Sequence, residues 1–208
     1  MPERPPLTVL LDGAGAVLTA AGPERGPVAR WPDVGLHAGW QVTLVADRRA
    51  ASGWRVQWLG PAGARDRPAC DLHLDLGGRL LTPGWTDAHT HLVFAGDRAA
   101  EFTQRMAGTT YAEIAAAGGG ILHTVRQTRA ATLDDLVATA AARLAELAGW
   151  GARLVEIKTG YGLDRATELR LLAAIGVVGR QCADQLQLVA TAMPAHAVPP
   201  EWKHDPDG

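Results

Sequence analysis

The sequence predicts an α/β protein in which a small β-rich region precedes parallel βαβ units. Over the first 78 residues, short apolar runs are separated by glycine and proline, which favours short strands joined by turns. From residue 79 onward, strand-like runs alternate with long helical patterns, which predicts parallel strands connected by helices. We therefore predict a β-rich domain over residues 1–78 and βαβ units over residues 79–208.

The β-rich region contains four predicted strands in a small, mostly antiparallel layer. Trp54, Val56 and Trp58 alternate with polar residues, as expected for a half-buried strand. Residues 48–53 form a predicted hairpin turn, whereas residues 20–41 have no clear period and are predicted as a long loop. The four predicted strands cover residues 7–11, 42–46, 54–59 and 72–76.

The second region contains three predicted strand positions, which precede His89, Lys158 and Pro194. Thr132 and Asp135 form a capping-box-like start for the helix over residues 132–149. A further helix, over residues 164–181, is expected to bury Leu169, Leu172, Ile175 and Val178. The remaining predicted elements are a helix over 118–130 and strands over 79–83, 154–157 and 186–192.

Composition excludes several classes of protein. Hydrophobic residues make up 47% and charged residues 20%, which predicts a folded chain, and the net charge of -2 gives no support to nucleic-acid binding. No apolar run is long enough to cross a membrane, and residues 1–6 do not resemble a secretion signal. Cys70 and Cys182 are too far apart to indicate a disulfide framework or a cysteine zinc site. We therefore expect a cytoplasmic protein.

His89 and His91 form a His-x-His pair that suits metal binding. Side chains two residues apart on a strand point to the same face, so two imidazoles can converge on one cation at about 2.0–2.1 Å. Asp87 shares that face and could orient a ligand. The alternative is a polar strand end without metal. A catalytic zinc normally has three protein ligands, so this pair alone is incomplete.

Other polar residues leave alternatives open. Glu156 and Lys158 could pair as a salt bridge, and we favour a supporting role for both over carboxylation of the lysine. Gly118, Gly119 and Gly120 could present N–H groups to an anion or simply form a tight turn. The remaining histidines have no supporting context and are interpreted as ordinary polar residues: His37, His73, His123 and His204.

Several motifs together carry a family resemblance. Residues 81–91, LTPGWTDAHTH, resemble the signature of the amidohydrolase superfamily, metal-dependent hydrolases with a distorted TIM barrel and a β-sandwich side domain. The further motifs resemble the imidazolonepropionase family, closely over residues 79–202 and loosely before them. These motifs are HLVFAGDR at 91–98, YAEIAAAGGGI at 111–121, VEIKTGYGL at 155–163 and AHAVPP at 195–200.

The resemblance implies hydrolysis of 4-imidazolone-5-propanoate to N-formimidoyl-L-glutamate, with one Zn²⁺ or Fe ion that activates water. It assigns His89 and His91 as metal ligands and Arg98, Tyr161 and His196 as substrate-binding residues. Without the motifs, the last three would be interpreted as a surface arginine, an interface tyrosine and a loop histidine. The remaining ligands and the proton-transfer groups are expected beyond residue 208, so no catalytic residue is assigned here. Trp85 and Met193-Pro194 depart from the family pattern, close to these positions.

A closed (β/α)₈ barrel typically needs about 250 residues, so residues 79–208 are expected to supply about three of eight βα units. We therefore expect the 208-residue chain to be an inactive fragment that exposes apolar surface, with a homodimer possible for the complete protein. Two alternatives remain open: a sister amidohydrolase, such as a guanine-type deaminase or cyclic amidase, and a non-catalytic truncated product. The joint occurrence of Arg98, Tyr161 and His196 favours the imidazolonepropionase family over a sister amidohydrolase.

Overall fold

The computed structural model describes residues 5–20, 34–50 and 52–202, and the chain divides into two compact units, Met1–Pro83 and Gly84–Gly208. Parts of the predicted loop over 20–41, of the predicted turn over 48–53 and of residues 1–6 lie outside the described residues, as does His204. No helix in the described ranges is both long and apolar enough to cross a membrane.

The first unit contains two sheets. A four-stranded sheet has the order β5-β4-β1-β6, and a three-stranded sheet has the order β3-β2-β7. Three strand pairings are antiparallel, whereas β6 pairs in parallel with β1 and β7 with β2. The strands are β1 (Thr8–Asp12), β2 (Ala16–Leu18), β3 (Leu36–Ala38), β4 (Trp40–Ala46), β5 (Trp54–Pro61), β6 (Leu72–Asp75) and β7 (Leu80–Leu81).

The four predicted strands are present, and the predicted hairpin turn connects β4 and β5 with a hydrogen bond from the Asp47 N–H to the Gly53 carbonyl. Three details differ from the prediction. Leu36–Ala38 form β3 and Trp40 begins β4, where a loop was predicted, and β2 was not predicted, because strands of three residues are too short to show alternation. Val56 is exposed rather than half-buried, since β5 is an edge strand with an irregular register against β4.

The second unit has a parallel sheet flanked by helices. Its order is β10-β9-β8, so consecutive strands are neighbours and both pairings are parallel, as the βαβ prediction requires. The elements are β8 (Trp85–Thr90), α1 (Ala99–Met106), α2 (Tyr111–Ala116), α3 (Ile121–Ala130), α4 (Leu133–Gly149), β9 (Ala152–Lys158), α5 (Arg165–Gln181) and β10 (Gln187–Thr191). A short 3₁₀ turn follows at Pro200–Trp202.

Helices α4 and α5 pack with the strands into one apolar core. Thr132 and Asp135 form the predicted capping box of α4. The buried face of α5 differs from the prediction: Leu169 is 55% exposed, and Leu171 is fully buried in its place. The fully or nearly fully buried core residues are Val93, Leu136, Ala140, Leu144, Ala152, Val155, Ile157, Leu171, Ala174, Ile175, Val178 and Leu186.

The first strand of this unit lies later than predicted. The predicted strand over residues 79–83 is only the two-residue β7 of the first unit, and the parallel strand is β8, Trp85–Thr90. His89 is therefore within β8, and His91 is the first residue after it. Helices α1 and α2 were not predicted, because α1 buries no residue and α2 buries only Ile114, which leaves almost no apolar periodicity.

Candidate functional site

Three aromatic rings meet at the carboxyl ends of the parallel strands. His91 follows β8, Tyr161 lies three residues after β9 and His196 lies five residues after β10. The His91 ring lies 5.2 Å from the Tyr161 ring and 4.7 Å from the His196 ring, and the last two are 5.9 Å apart, centroid to centroid. Because parallel strands end at the same edge of a sheet, side chains distant in sequence converge there, as at the catalytic face of barrel enzymes.

The imidazoles of His89 and His91 are neighbours, with centroids 5.5 Å apart. Both ring nitrogens of His91, and Nδ1 of His196, are buried without a hydrogen-bond partner among the described residues. Burial lowers the pKa of His91, electrostatic interaction with His196 and His89 lowers it further, and the nearby Thr159 backbone acts in the opposite direction. His91 is therefore held as a neutral imidazole, the form that coordinates a metal ion.

The unpartnered nitrogens of His91 fit a metal ion as the missing partner, because a buried donor or acceptor without a partner is destabilising. Within the described residues, no group of three or more His, Cys, Asp or Glu side chains is arranged to hold a metal. Among these residues, His89 and His91 are the neighbouring imidazoles that could hold part of such a site. Asp87 accepts a hydrogen bond from the His89 backbone N–H at 3.3 Å, so it contacts the strand rather than an imidazole ring.

Glu156 and Lys158 form an ion pair at the end of β9, which is the pairing that the sequence suggested. Glu156 Oε1 also accepts a hydrogen bond from Thr191 Oγ1 of β10 at 2.6 Å, and the Glu156 carbonyl accepts one from Thr90 of β8 at 2.7 Å. Hydrogen bonds from Lys158 and then Thr191 lower the pKa of Glu156. The three strand ends are therefore joined by polar contacts centred on Glu156.

The segment that follows His91 is held by Arg143 of α4, which the sequence reasoning missed. Arg143 Nη1 donates to the carbonyls of Leu92 at 2.6 Å and Phe94 at 2.9 Å, and its guanidinium lies 3.7 Å from the Phe94 ring centroid. The Phe94 ring in turn contacts Tyr161 edge-on at 5.7 Å. The one available signal was a charged residue directly beside Leu144 on the buried face of the helix.

Replacing Arg143 with methionine should loosen this segment while the core stays folded. Methionine keeps much of the apolar stem but loses two charge-assisted hydrogen bonds, which are worth about 1.5–3 kcal/mol each. The Ala95 amide, which donates to Thr128 Oγ1 at 3.2 Å, reports the change by hydrogen exchange. We expect at least ~10-fold faster exchange there, which corresponds to about 1.4 kcal/mol, and partial recovery with lysine. Unchanged exchange at Ala95 would contradict the role of Arg143.

Arg98 is not part of the ring cluster. It precedes α1, lies 4.0 Å from Glu101 and lines a cavity of about 310 Å³ together with His123 and Arg126. No hydrogen bond, ion pair or ring contact in the described part of the chain joins Arg98 to the three rings. The Gly120 N–H, a candidate anion donor, instead donates to Glu101 Oε1 at 2.8 Å, which favours the tight-turn interpretation of this segment.

Gly160 permits the close approach of the two loops that carry Tyr161 and His196. Its φ of +123° is in the region that glycine favours, and a Cβ there would lie 2.7 Å from His196 Cβ. The Met193 N–H donates to Thr159 Oγ1 at 2.9 Å beside it. The Thr-Gly-Tyr sequence after β9 is therefore shaped by this contact.

Several other residues discussed in the sequence analysis lie outside the ring cluster. Trp85 lies at the amino end of β8, where it lines a cavity of about 260 Å³ with Trp150, at the opposite end of the strand from His91. His37 stacks on Trp40 at 3.8 Å, and His73 is exposed on β6. Cys70 and Cys182 are both free thiols.

Comparison with known proteins identifies close relatives. The chain is 51% identical over 158 residues to an imidazolonepropionase from Erwinia tasmaniensis, covering 76% of this chain and 38% of that protein. It is 44% identical over 202 residues to an imidazolonepropionase from Chloroflexus aggregans, covering 95% of this chain and 44% of the relative. The chain thus spans about two fifths of the length of these curated relatives. No protein-family model matches the chain.

A solved structure with a similar fold is available for comparison. The 5-methylcytosine deaminase from Klebsiella pneumoniae, liganded with 5-fluorocytosine, superposes with a TM-score of 0.55 at 18% identity, covering 90% of this chain and 36% of that one. At this identity the likeness concerns the fold alone, which is mixed α/β. The chain is a homologue of the imidazolonepropionases, matched over about two fifths of their length.

Proposed function

We propose that this chain supplies part of the active site of an imidazolonepropionase, which hydrolyses the cyclic amide of 4-imidazolone-5-propanoate to N-formimidoyl-L-glutamate. The observation that carries the proposal is the convergence of His91, Tyr161 and His196 from three separate motifs. Residues 79–208 would form about three βα units of the barrel, and residues 1–78 a small β-sandwich domain. The location would be the cytoplasm and a homodimer is possible.

In this proposal, His89 and His91 hold a single Zn²⁺ or Fe ion through their ring nitrogens. Bound there, the ion would supply Lewis acidity toward a water molecule and the ring carbonyl. The neutral state of His91 supports this role, since a protonated imidazole has no lone pair to donate. Glu156 would keep the three strand ends in register beneath the pair, through its contacts to Lys158 and Thr191.

The substrate would lie across the ring cluster. The hydroxyl of Tyr161 and the imidazole of His196 present hydrogen-bonding groups beside His91, which suits a polar, planar imidazolone ring. Arg98 is the proposed partner of the propanoate, because a guanidinium binds a carboxylate bidentately. In the present structure it is 45% exposed at the mouth of its own cavity and accessible to such an anion.

The test uses the protein expressed from its native locus, purified with Zn²⁺ or Fe. We expect it to consume 4-imidazolone-5-propanoate and to release N-formimidoyl-L-glutamate, identified by mass spectrometry. His196→Asn should reduce turnover by about 10²-fold or more, because such a contact acts on the reacting ring. Arg153→Gln, at the amino end of β9, is the matched control and should retain activity. Deamination of a purine, or hydrolysis of a different cyclic amide with no turnover of the imidazolone, would overturn the assignment.

A further inference from the structure

We propose that Arg129 is a positioning residue that fixes Tyr161 by joining the loop after β9 to the segment after His196. This inference rests on the proposed function, because the value of fixing Tyr161 comes from its place beside the substrate. Arg129 itself lies on α3, outside the ring cluster, and touches none of the three rings.

The guanidinium of Arg129 contacts both segments at once. Its Nε donates to the carbonyl of Gly162 at 2.7 Å and lies 3.0 Å from Oδ2 of Asp164. Its Nη2 donates to Oε1 of Glu201 at 2.9 Å. A planar guanidinium presents its donors in a fixed fork, so one side chain can hold two partners at a defined distance. The Arg129 carbonyl is also held, by Nη2 of Arg170 on α5 at 3.0 Å.

The loop after β9 is held by contacts from Glu168 as well as from Arg129. Glu168 is only 5% exposed, and its Oε1 accepts hydrogen bonds from the N–H groups of Gly162 at 2.7 Å and Leu163 at 3.0 Å. Leu163 has a φ of +55°, which non-glycine residues rarely adopt. Such a conformation persists only where surrounding contacts determine it, and Glu168 and Arg129 supply those contacts.

The segment after His196 ends at the other anchor. Glu201 lies in the 3₁₀ turn Pro200–Trp202, which follows Pro199, and consecutive prolines restrict the chain between His196 and this turn. A hydrogen bond from Arg129 lowers the pKa of Glu201, so this partner is a carboxylate at neutral pH. The His196 segment is therefore attached to α3 through one charged contact.

Tyr161 lies between two fixed points. On its amino side, Gly160 packs against His196 and Thr159 accepts a hydrogen bond from Met193. On its carboxyl side, Gly162 is held by Arg129 and Glu168. Loss of the first set would separate the loops. Loss of Arg129 would leave the loops in contact and release the Gly162 carbonyl, so that Glu168 alone would hold the carboxyl side of Tyr161, through the N–H groups of Gly162 and Leu163. The expected consequence is a tyrosine ring that changes its orientation without global unfolding.

The chain contains two tyrosines, Tyr111 and Tyr161, so fluorotyrosine labelling gives two ¹⁹F resonances. In the labelled 208-residue chain, assigned by Tyr161→Phe, we expect Arg129→Gln to move the Tyr161 resonance toward that of free fluorotyrosine. Tyr111 should be unchanged, and Arg129→Lys should give an intermediate shift because it keeps the charge but not the fork. Arg153→Gln, which removes another arginine that donates to backbone carbonyls, is the matched control and should move neither resonance.

Glu201→Gln provides a second variant, since its side chain is 44% exposed and its replacement does not disturb the core. It should move the Tyr161 resonance in the same direction as Arg129→Gln. In the protein from the native locus, Arg129→Gln should raise KM about 10-fold at unchanged metal content, as the loss of one positioning contact. A Tyr161 resonance that is unchanged in both variants would overturn the positioning role. If the Tyr161 resonance shifts in the variants but the unmutated protein does not turn over the imidazolone, the positioning role of Arg129 is retained and the proposed function is overturned.

Discussion

Replacing His91 with phenylalanine will reduce metal affinity by at least about 100-fold and, in chelator-treated protein, raise the free energy of unfolding by about 1–3 kcal/mol. Both ring nitrogens of His91 are buried without a partner among the described residues, so an apolar ring of similar size removes an unsatisfied polar group. Loss of metal binding together with a gain in stability would mark His91 as a residue kept for its chemistry.

The comparison variant is His89→Phe. As the second proposed ligand, His89 should also lose metal affinity on replacement. Because its side chain is exposed, the replacement should not stabilise the protein. Metal affinity is measured by competition with a chromophoric chelator, and stability by urea unfolding followed through the helical circular dichroism, since every described helix lies in the second unit. Unchanged metal affinity in His91→Phe would contradict the proposed ligand role.

His91→Phe also tests how the free energy of unfolding depends on pH. The pKa of His91 is lowered below its ordinary value of 6.5 by burial, so the unfolded chain binds more protons than the folded chain at mildly acidic pH. Protonation of the buried His91 lowers the free energy of unfolding, so this cost is absent above about pH 6.5 and grows as the pH falls from there toward the folded-state pKa. The urea midpoint of chelator-treated protein should fall over that window, and His91→Phe should reduce the fall.

Leu171→Ala should destabilise the second unit by about 2–5 kcal/mol, the range for a truncated core leucine. Leu171 is fully buried, between α5 and the strands. The measurement is the urea midpoint by helical circular dichroism, together with hydrogen exchange of the β9 amides, which should lose protection.

Leu169→Ala is the matched control on the same helix. Leu169 is 55% exposed, and its truncation should change stability by less than about 0.5 kcal/mol. This pair also separates the observed face of α5 from the predicted one, which included Leu169. Equal effects of the two substitutions would contradict the packing described for α5.

Periodicity predicted the elements that are long and have one buried face. The strong apolar pattern of α4 and its cap at Thr132 located that helix to within a residue. Prediction from periodicity failed where the burial of side chains does not follow their spacing in the sequence. Helix α1 buries nothing, and β2 and β3 have three residues each. In each case tertiary pairing, rather than local pattern, determines the structure. Alternation did locate β6, but all four of its residues are exposed at a sheet edge, so the pattern predicted the strand and not its burial.

The candidate site was predicted by resemblance more than by spacing. The His-x-His pair could be recognised alone, but nothing in the spacing of Tyr161 and His196 places them beside His91; the parallel sheet does so. Arg98 remains a prediction from the motif. Arg143 and Arg129 lie on helices remote in sequence from the loops that they contact. Arg143 donates to two backbone carbonyls, and Arg129 to one carbonyl and to carboxylates 35 and 72 residues further along the chain, so local sequence pattern does not predict these contacts.

The contact between Gly160 and His196 has an evolutionary consequence. Any other residue at position 160 would bring its Cβ within 2.7 Å of His196, so the whole set of side chains is excluded there irrespective of the substrate that the protein handles. Selection for a new substrate can therefore change Tyr161 or His196 more readily than the glycine between β9 and the tyrosine. Descendants that had lost the ancestral chemistry would still be expected to carry this glycine, as a record of shape rather than of activity.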